Sequence, residues 1–390
     1  MKVRHLLLAA AALAIASAAS AQTPVKIGFI STFSGPQASI GQDMRRSVEL
    51  AIEHLGGKIG GRPIEMIWED DQVKPEVGKQ KSDKLVQQDK VDFVAGYIWS
   101  NVLLASVKSV TEDGDTFLIS SNAGPSPLAG ERCQPNFFST SWQNDQTPMA
   151  MGEFLNKRGV KRLYLMAPNY AAGKDMLAGV RRTFKGEIVG EDLTKFPDGL
   201  DFSAELSKIR ANWPEAVFVF YPGAFGVQFL TQYAQAGLRD GIPLYTAFTI
   251  DALSLPQQKD LALGVFGAQS WVNDLPNEQN KRFVADFRKK HGVYPSFYGA
   301  QSYDTILLIA SAVEALKGDL SNKDKTRAEL MKANFKSVRG NFKFNVNHLP
   351  IQNFYIQQTV KDADGNLTLK TVETAMTDAK DPYYDKCSMK

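Results

Sequence analysis

The chain has 390 residues, of which 44% are hydrophobic and 22% charged, with a formal net charge of +3. That balance is ordinary for a globular protein, and a charge so small excludes long-range attraction to nucleic acid or to an anionic membrane. No stretch reaches ~18 uninterrupted apolar residues, which excludes a spanning helix.

The N-terminus comes first in chain order. Lys2 and Arg4 precede an apolar run over 6–16 and the small residues Ala19-Ser20-Ala21. That order reads as a secretory signal peptide over 1–21, with an A-x-A cut that leaves Gln22 first and places the protein in the periplasm. Losing Lys2 and Arg4 lowers the net charge to +1. No cysteine lies near the cut, so a lipid anchor on a new N-terminal cysteine is excluded. The remaining 369 residues exceed a single core of ~250–300 residues, so two lobes are expected. The two cysteines, Cys133 and Cys387, enter an oxidising compartment, where a disulfide is the simplest reading. It would tie the C-terminal tail to the first lobe; two unpaired surface thiols are the alternative.

Apolar runs of strand type then alternate with helical stripes. Residues 25–30 read as a buried strand, and Ile40, Met44, Val48 and Ile52 form a stripe of four-residue spacing stopped at Gly56-Gly57. Strands follow over 64–68, 91–95 and 116–119, with helices over 75–88 and 102–110. After a break at Ser139-Thr140-Ser141-Trp142 the pattern restarts. Helices over 149–155, 170–184, 202–209 and 227–236 alternate with strands over 162–166, 187–189, 216–221 and 243–245. A second break falls at Ala268-Gln269-Ser270-Trp271. Helices over 278–291 and 297–316 have no strand soon after them, and a hairpin over 354–359 and 367–372 turns at Asp364-Gly365. This alternation predicts an α/β fold of two mostly parallel sheets. The late helices are expected to return to the first lobe and the hairpin to the second. Several crossings of this kind make a hinge that lets lobes close on a ligand.

Catalytic machinery is missing. His54, His291 and His348 are scattered, and no G-x-S-x-G or Walker-type phosphate loop occurs. The glycine-rich run 56–61 follows a helix and reads as a stop and a turn. Glu69-Asp70-Asp71 is a conceivable metal site, but a solvated strand end with a helix-capping aspartate fits better. No metal, cofactor or enzymatic activity is expected; the pattern is that of a binder.

The segments Ile27-Gly28-Phe29-Ile30-Ser31, Phe33-Ser34-Gly35-Pro36, 96–101, Ser120-Ser121-Asn122-Ala123-Gly124-Pro125, 167–173, 218–223, Gln235-Ala236-Gly237-Leu238, Tyr294-Pro295-Ser296-Phe297-Tyr298 and Ser302-Tyr303-Asp304 carry a resemblance that spans the whole exported chain. Their order and spacing resemble the periplasmic substrate-binding proteins of branched-chain-amino-acid-type ABC transporters. The resemblance implies a type I fold of two Rossmann-like lobes joined by a multi-strand hinge, with an ABC permease as partner and a monomer as the default. The boundaries expected are 22–140 plus 271–349 for lobe 1, 141–270 plus 350–376 for lobe 2, and a tail over 377–390.

The same resemblance puts the ligand carboxylate on Ser100, which matches the family's serine, with Asn101, Asn122 and Ala123 beside it. Strand ends that lead into helix N-termini suit an anion on physical grounds too, although plain helix capping by Ser100 and Asn122 is the alternative. Tyr170 matches an aromatic that closes over the ligand, and Phe225 or Ala224 falls near another. Phe248 stands where amino-acid-binding members place a glutamate for the ligand ammonium, Ile40 replaces a tyrosine and Gly124 a threonine. A buried ammonium without a partner would cost several kcal/mol, so the departure at Phe248 points to a carboxylate without an amine. Asp251, three residues on, is a possible substitute but reads as an N-cap. Trp99, Thr249 and Phe248 join the expected ligand-binding set, with Trp99, Tyr97, Tyr170, Trp142 and Phe248 as stacking faces. Trp142 and Trp271 sit at the crossovers, where hinge packing is the preferred role. An aromatic or phenylpropanoid monocarboxylate is the expected ligand. A receptor for amino acids and a sensing domain for a chemoreceptor or kinase are the alternatives.

Overall fold

The computed structural model describes residues 23–389, so the expected leader over 1–21 lies outside the described residues. No described helix is long and apolar enough to cross a membrane.

The first sheet contains β1 (Val25–Ser31), β2 (Lys58–Ile59), β3 (Arg62–Asp70), β4 (Phe93–Gly96), β5 (Phe117–Ser120) and β6 (Phe137–Ser139), in the order β2-β3-β1-β4-β5-β6. All its neighbours are parallel except β2, which pairs antiparallel with β3. β4 and β5 are buried along their whole length, which explains why they read as continuous apolar runs rather than alternating ones; β6, buried likewise but only three residues long, carries no such run and is not expected from the sequence. Around this sheet run α1 (Ala38–His54), α2 (Pro75–Gln87), α3 (Ser100–Thr111) and the single turn α4 (Ser126–Ala129). Ile40, Met44 and Val48 of the expected stripe are buried on α1, Ile52 is only half-buried with Ala51 beside it fully buried, and Gly56 and Gly57 (φ +70° and +74°) follow the helix end.

The second half begins with α5 (Gln146–Lys157), β7 (Arg162–Pro168), α6 (Ala171–Thr183), β8 (Glu187–Thr194), α7 (Ser203–Asn212) and β9 (Ala216–Val219). It continues through α8 (Ala224–Gln235), β10 (Leu244–Ala247), α9 (Leu255–Gln258) and β11 (Phe266–Gln269). Then come α10 (Glu278–His291), α11 (Phe297–Ala315), α12 (Lys323–Lys332), β12 (Lys343–Phe344), β13 (Pro350–Lys361) and β14 (Leu367–Ala379). The second sheet runs β12-β13-β11-β10-β9-β7-β8, with β14 on β13. Its β8-β7-β9-β10-β11 core is parallel, and β13 joins β11 antiparallel.

The late helices behave as expected: α11 packs on α1, and so covers the first sheet. The terminal hairpin extends the second sheet, with β13 and β14 longer than the sequence indicated. The second break reads differently, because residues 266–269 form β11 before the chain leaves the sheet. Gly267 and Ala268 have little strand propensity and hid it. The seam between the sheets is tight. Ser139 N at the end of β6 donates to His348 O (3.1 Å), and the Phe344 ring of β12 lies 5.5 Å from Phe138 of β6. Cys133 and Cys387 are disulfide-bonded, which fastens the tail beside α4.

The acidic cluster corrects the sequence reading. Asp71 is not a solvated cap: it is fully buried and accepts from Thr32 Oγ1 (2.6 Å) and Val73 N (2.9 Å), while Lys74 holds the cap position of α2. Burial pushes its carboxyl up to about 6. Among the described residues no cluster of His, Cys, Asp or Glu is placed to hold a metal ion.

Candidate functional site

In the first sheet the chain progresses outward in both directions from β1, and in the second from β7. Ligand crevices of α/β sheets form at the carboxyl ends of the strands beside such a reversal. The loops after β4, β5, β7, β9 and β10 meet there and enclose a cavity.

Each loop has a local cause. Gly96 ends β4 at φ +105°, where an added Cβ would lie 2.2 Å from Ile30 O; only glycine makes that turn. The chain then presents Ile98, Trp99 and Ser100 to the cavity. Trp99 is the N-cap of α3 and offers no side-chain cap, so the first N–H groups of this 12-residue helix have no intrahelical acceptor. The Ser100 hydroxyl beside them is 1% exposed and accepts from Asn144 Nδ2 (3.1 Å). The same Asn144 nitrogen donates to Asp175 Oδ2 (3.0 Å), and Ser126 donates to Asp175 through both N (3.0 Å) and Oγ (2.8 Å). Burial pushes the Asp175 carboxyl up to about 6. After β5, Asn122 and Ala123 form the adjoining wall.

The opposite wall is aromatic. Tyr170, after β7, stacks on Phe196 (4.3 Å between centroids) and sets its edge against Trp99 (6.0 Å). Phe248, after β10, stacks on Trp142 (4.3 Å) and tilts against Phe297 (4.7 Å). Its φ of +57° is unusual for a bulky residue and marks a strained turn at the site. Tyr298, from the first turn of α11, and Phe220 complete the surround. Burial raises the Tyr170 and Tyr298 phenols far above their ordinary range, so both keep their protons as donors. None of the described lining residues is Asp, Glu, Lys, Arg or His. The cavity measures about 10 Å³, room for one water. A benzene-sized ring fits a cavity of about 150 Å³, so the walls must part to admit one.

Of the residues expected from sequence, Trp99, Ser100, Asn122, Ala123, Tyr170 and Phe248 line this cavity. Asn101, Ile40, Phe225 and Thr249 do not. Asn101 follows Ser100 on a helix and is turned about 100° from it. Ile40 belongs to the buried stripe of α1, and the Phe225 ring packs 5.8 Å from Phe196. Thr249 spends its hydroxyl on backbone, accepting from Tyr221 N (2.9 Å). Trp142 lines the cavity as well as the crossover. Asp251 faces elsewhere: with Gln269 and Ser296 it lines a separate cavity of about 20 Å³, and its Oδ1 accepts from Leu253 N and Ser254 N (both 2.8 Å). Sequence reasoning missed Asn144, Phe220 and Tyr298. Tyr298 sat within a segment carrying the resemblance, but no local signal tied the start of α11 to this cavity.

Comparisons with known proteins agree with this geometry. Residues 24–366 match the family described as periplasmic binding protein. The chain is 27% identical over 381 residues to Leu/Ile/Val-binding protein homolog 6 of Brucella melitensis, spanning 94% of this chain and 96% of the relative. A solute-binding protein of an ABC transporter from R. palustris, solved in complex with benzoate, is similar at TM-score 0.88 and 32% identity, over 94% of this chain and 100% of that one. Another, from Rhodopseudomonas palustris BisB5 in complex with 3,4-dihydroxy benzoic acid, is similar at TM-score 0.85 and 30% identity, over 92% and 99%.

Proposed function

Because this chain belongs to the periplasmic binding protein family, as a solute-binding protein of the ABC-transporter type, we propose that it captures a small aromatic monocarboxylate and hands it to a permease. The family binds substrates for transport and is not a family of enzymes. The observation that carries the ligand class is the composition of the cavity wall: an open helix N-terminus with Ser100 on one side, stacked aromatic rings on the other, and no acidic side chain in the lining. The helix end and the Ser100 hydroxyl suit a carboxylate. The rings of Tyr170, Trp142 and Phe248 suit a flat apolar body. The benzoate and dihydroxybenzoate complexes of the two R. palustris proteins support this reading.

An amino-acid ligand, which the name of the Brucella relatives brings to mind, would bury its ammonium where the lining offers only neutral acceptors, at a cost of several kcal/mol. On the same reading the two sheets are the cores of two lobes, over 22–140 plus 271–349 and 141–270 plus 350–376, with the strand β12 reaching across to the second sheet and β14 carrying that sheet on to Ala379. They turn about the chain crossings that follow β6 and β11 and the return ahead of β13, while the tail beyond β14 is bridged to Cys133 of lobe 1 and touches Asp145 and Arg182 of lobe 2.

The test is thermal unfolding of the exported chain against aromatic carboxylates and free amino acids. A ligand at about 100 times its dissociation constant adds about 2.7 kcal/mol, a clear shift. Stabilisation by leucine-like amino acids and not by benzoates would overturn the ligand class. Ser100→Ala is expected to weaken carboxylate binding by about 1–3 kcal/mol in titration calorimetry, the worth of one charge-assisted hydrogen bond.

Affinity is also expected to depend on pH through Asp175. Its carboxyl, raised to about 6 by burial, is neutral below that pH and charged above it. The charge stands one side chain behind Ser100, through Asn144, and repels an anion there. Carboxylate affinity should therefore fall several-fold between about pH 5.5 and about pH 7.5, and Asp175→Asn should flatten the profile. A slope that survives in Asp175→Asn would assign the titration to another group.

A further inference from the structure

Two fully buried side-chain polar atoms of the cavity wall have no hydrogen-bond partner. Asn122 donates Nδ2 to Ile98 O (2.8 Å), which leaves Oδ1 a buried acceptor with nothing bound to it. The opposite amide orientation would set two oxygens against each other, so the carbonyl of Ile98 fixes which atom is left over. Trp142 Nε1 is a buried donor in the same condition. The two residues are 7% and 2% exposed, and both line the cavity that holds Ser100. Buried polar atoms without partners are uncommon in folded proteins, and two at one cavity ask for an explanation in its ligand.

The two atoms ask for different things. Trp142 Nε1 needs an acceptor, and a carboxylate has acceptors to spare beyond those that Ser100 and the α3 N-terminus engage. Asn122 Oδ1 needs a donor, which an ionised carboxylate lacks. An ammonium would meet only neutral acceptors, with no carboxylate in the lining to balance its charge, whereas a hydroxyl supplies one donor and buries no charge. Resting on the carboxylate reading above, we propose that the ligand is a hydroxylated aromatic carboxylate, with Asn122 Oδ1 accepting from its hydroxyl and Trp142 Nε1 donating to one of its oxygens. Asn122 then sets the preference for a hydroxylated ring over a bare one. Trp142 adds affinity for the whole class, beyond its stacking on Phe248.

The experiment is titration calorimetry of the full exported chain with benzoate and with 2-, 3- and 4-hydroxybenzoate. The wild type should bind at least one hydroxybenzoate about tenfold or more tighter than benzoate. Asn122→Ala should bring that ratio within about twofold, because hydroxybenzoate loses more affinity than benzoate does; Asn122→Ser reads the same ratio should the alanine variant fold poorly. Trp142→Phe, which keeps a stacking ring, should weaken every member of the panel by up to about tenfold and preserve the ratio. A wild type that treats benzoate and all three hydroxybenzoates alike overturns the inference and leaves the carboxylate reading standing. So does an Asn122 variant that loses benzoate and hydroxybenzoate equally. No binding of any of the four, at concentrations where free amino acids bind, overturns the carboxylate reading itself.

Discussion

Replacing Arg339 with methionine is expected to cost about 3–5 kcal/mol of stability, the penalty for leaving a buried charge without its partner. The Arg339 and Asp304 side chains are 4% and 0% exposed and lie 3.2 Å apart. Arg339 also donates to Ser141 O (3.1 Å), to Gln352 Oε1 (2.8 Å) and to Thr140 O. Asp304 in turn accepts from Ser337 Oγ (2.5 Å) and Val338 N (3.0 Å). One guanidinium thus joins α11 to the crossing segment after β6 and to the start of β13. Methionine matches the apolar stem but none of the donors, so two carbonyls, an amide oxygen and a carboxylate each lose a donor together, although Gln352 Nε2 still reaches Ser141 O (2.7 Å) and Asp304 keeps Ser337 and Val338. Urea unfolding followed by circular dichroism measures the loss. The double variant Asp304→Asn with Arg339→Met should recover part of it, because no unpaired charge remains buried. A loss under about 1 kcal/mol in the single variant would mean that water reaches the seam and the pair is worth no more than a surface bridge.

Cys387→Ser is expected to cost about 2–5 kcal/mol while leaving ligand affinity within about twofold. The bridge joins positions 254 apart in the sequence, and long closures restrict the unfolded chain most in the entropic account. Other contacts hold the tail as well: Asn347 Nδ2 donates to Asp381 Oδ2 (2.9 Å), Tyr383 OH donates to Asp145 Oδ2 (3.0 Å), and the Arg182 guanidinium lies 4.8 Å from the Tyr383 ring centre. These set the lower end of the range. Neither cysteine lines the cavity, which is why affinity should hold. Melting temperature with and without reductant reads the first expectation and calorimetry the second. Thiol labelling at both positions in the untreated native protein would rule the bridge out.

The fold was legible because its signals are local. The spacing of Ile40, Met44 and Val48 marks α1 within its own sequence, and buried parallel strands announce themselves as apolar runs. The small-residue strand β11, the dipeptide strands β2 and β12 and the single turn α4 carry no such periodicity. The helix α12, with only Thr326 and Leu330 buried, shows little of it, and all of these went unread. In the candidate site, residues directly after strand ends were found, since the carboxyl edge of a parallel sheet is a place that sequence can point to: Ser100, Asn122, Tyr170 and Phe248 all lie there. Positions carried by spacing alone, Ile40 and Phe225, lie on helices, where an offset of one residue turns a side chain away by about 100°. Tyr298 and Asn144 reach the cavity from elements distant in the chain, and only the packing of α11 on α1 and the path after β6 bring them in. Asp71 shows the converse, a charge run read as solvated because nothing nearby reveals that Thr32, whose hydroxyl also accepts from Trp99 Nε1, will donate to it.

The tightness of the cavity bears on time as well as on affinity. With Trp142, Phe248 and Tyr170 each at most 8% exposed and only about 10 Å³ between the walls, a ring-sized solute cannot reach Ser100 in this arrangement. Exchange must then wait for the walls to separate. The opening rate becomes a ceiling on release that every occupant shares, however weakly it is held. Chemically different occupants should depart at rates that converge as their affinity falls. Stopped-flow displacement would show this as a plateau, and motions of this scale place that plateau on the order of microseconds to milliseconds.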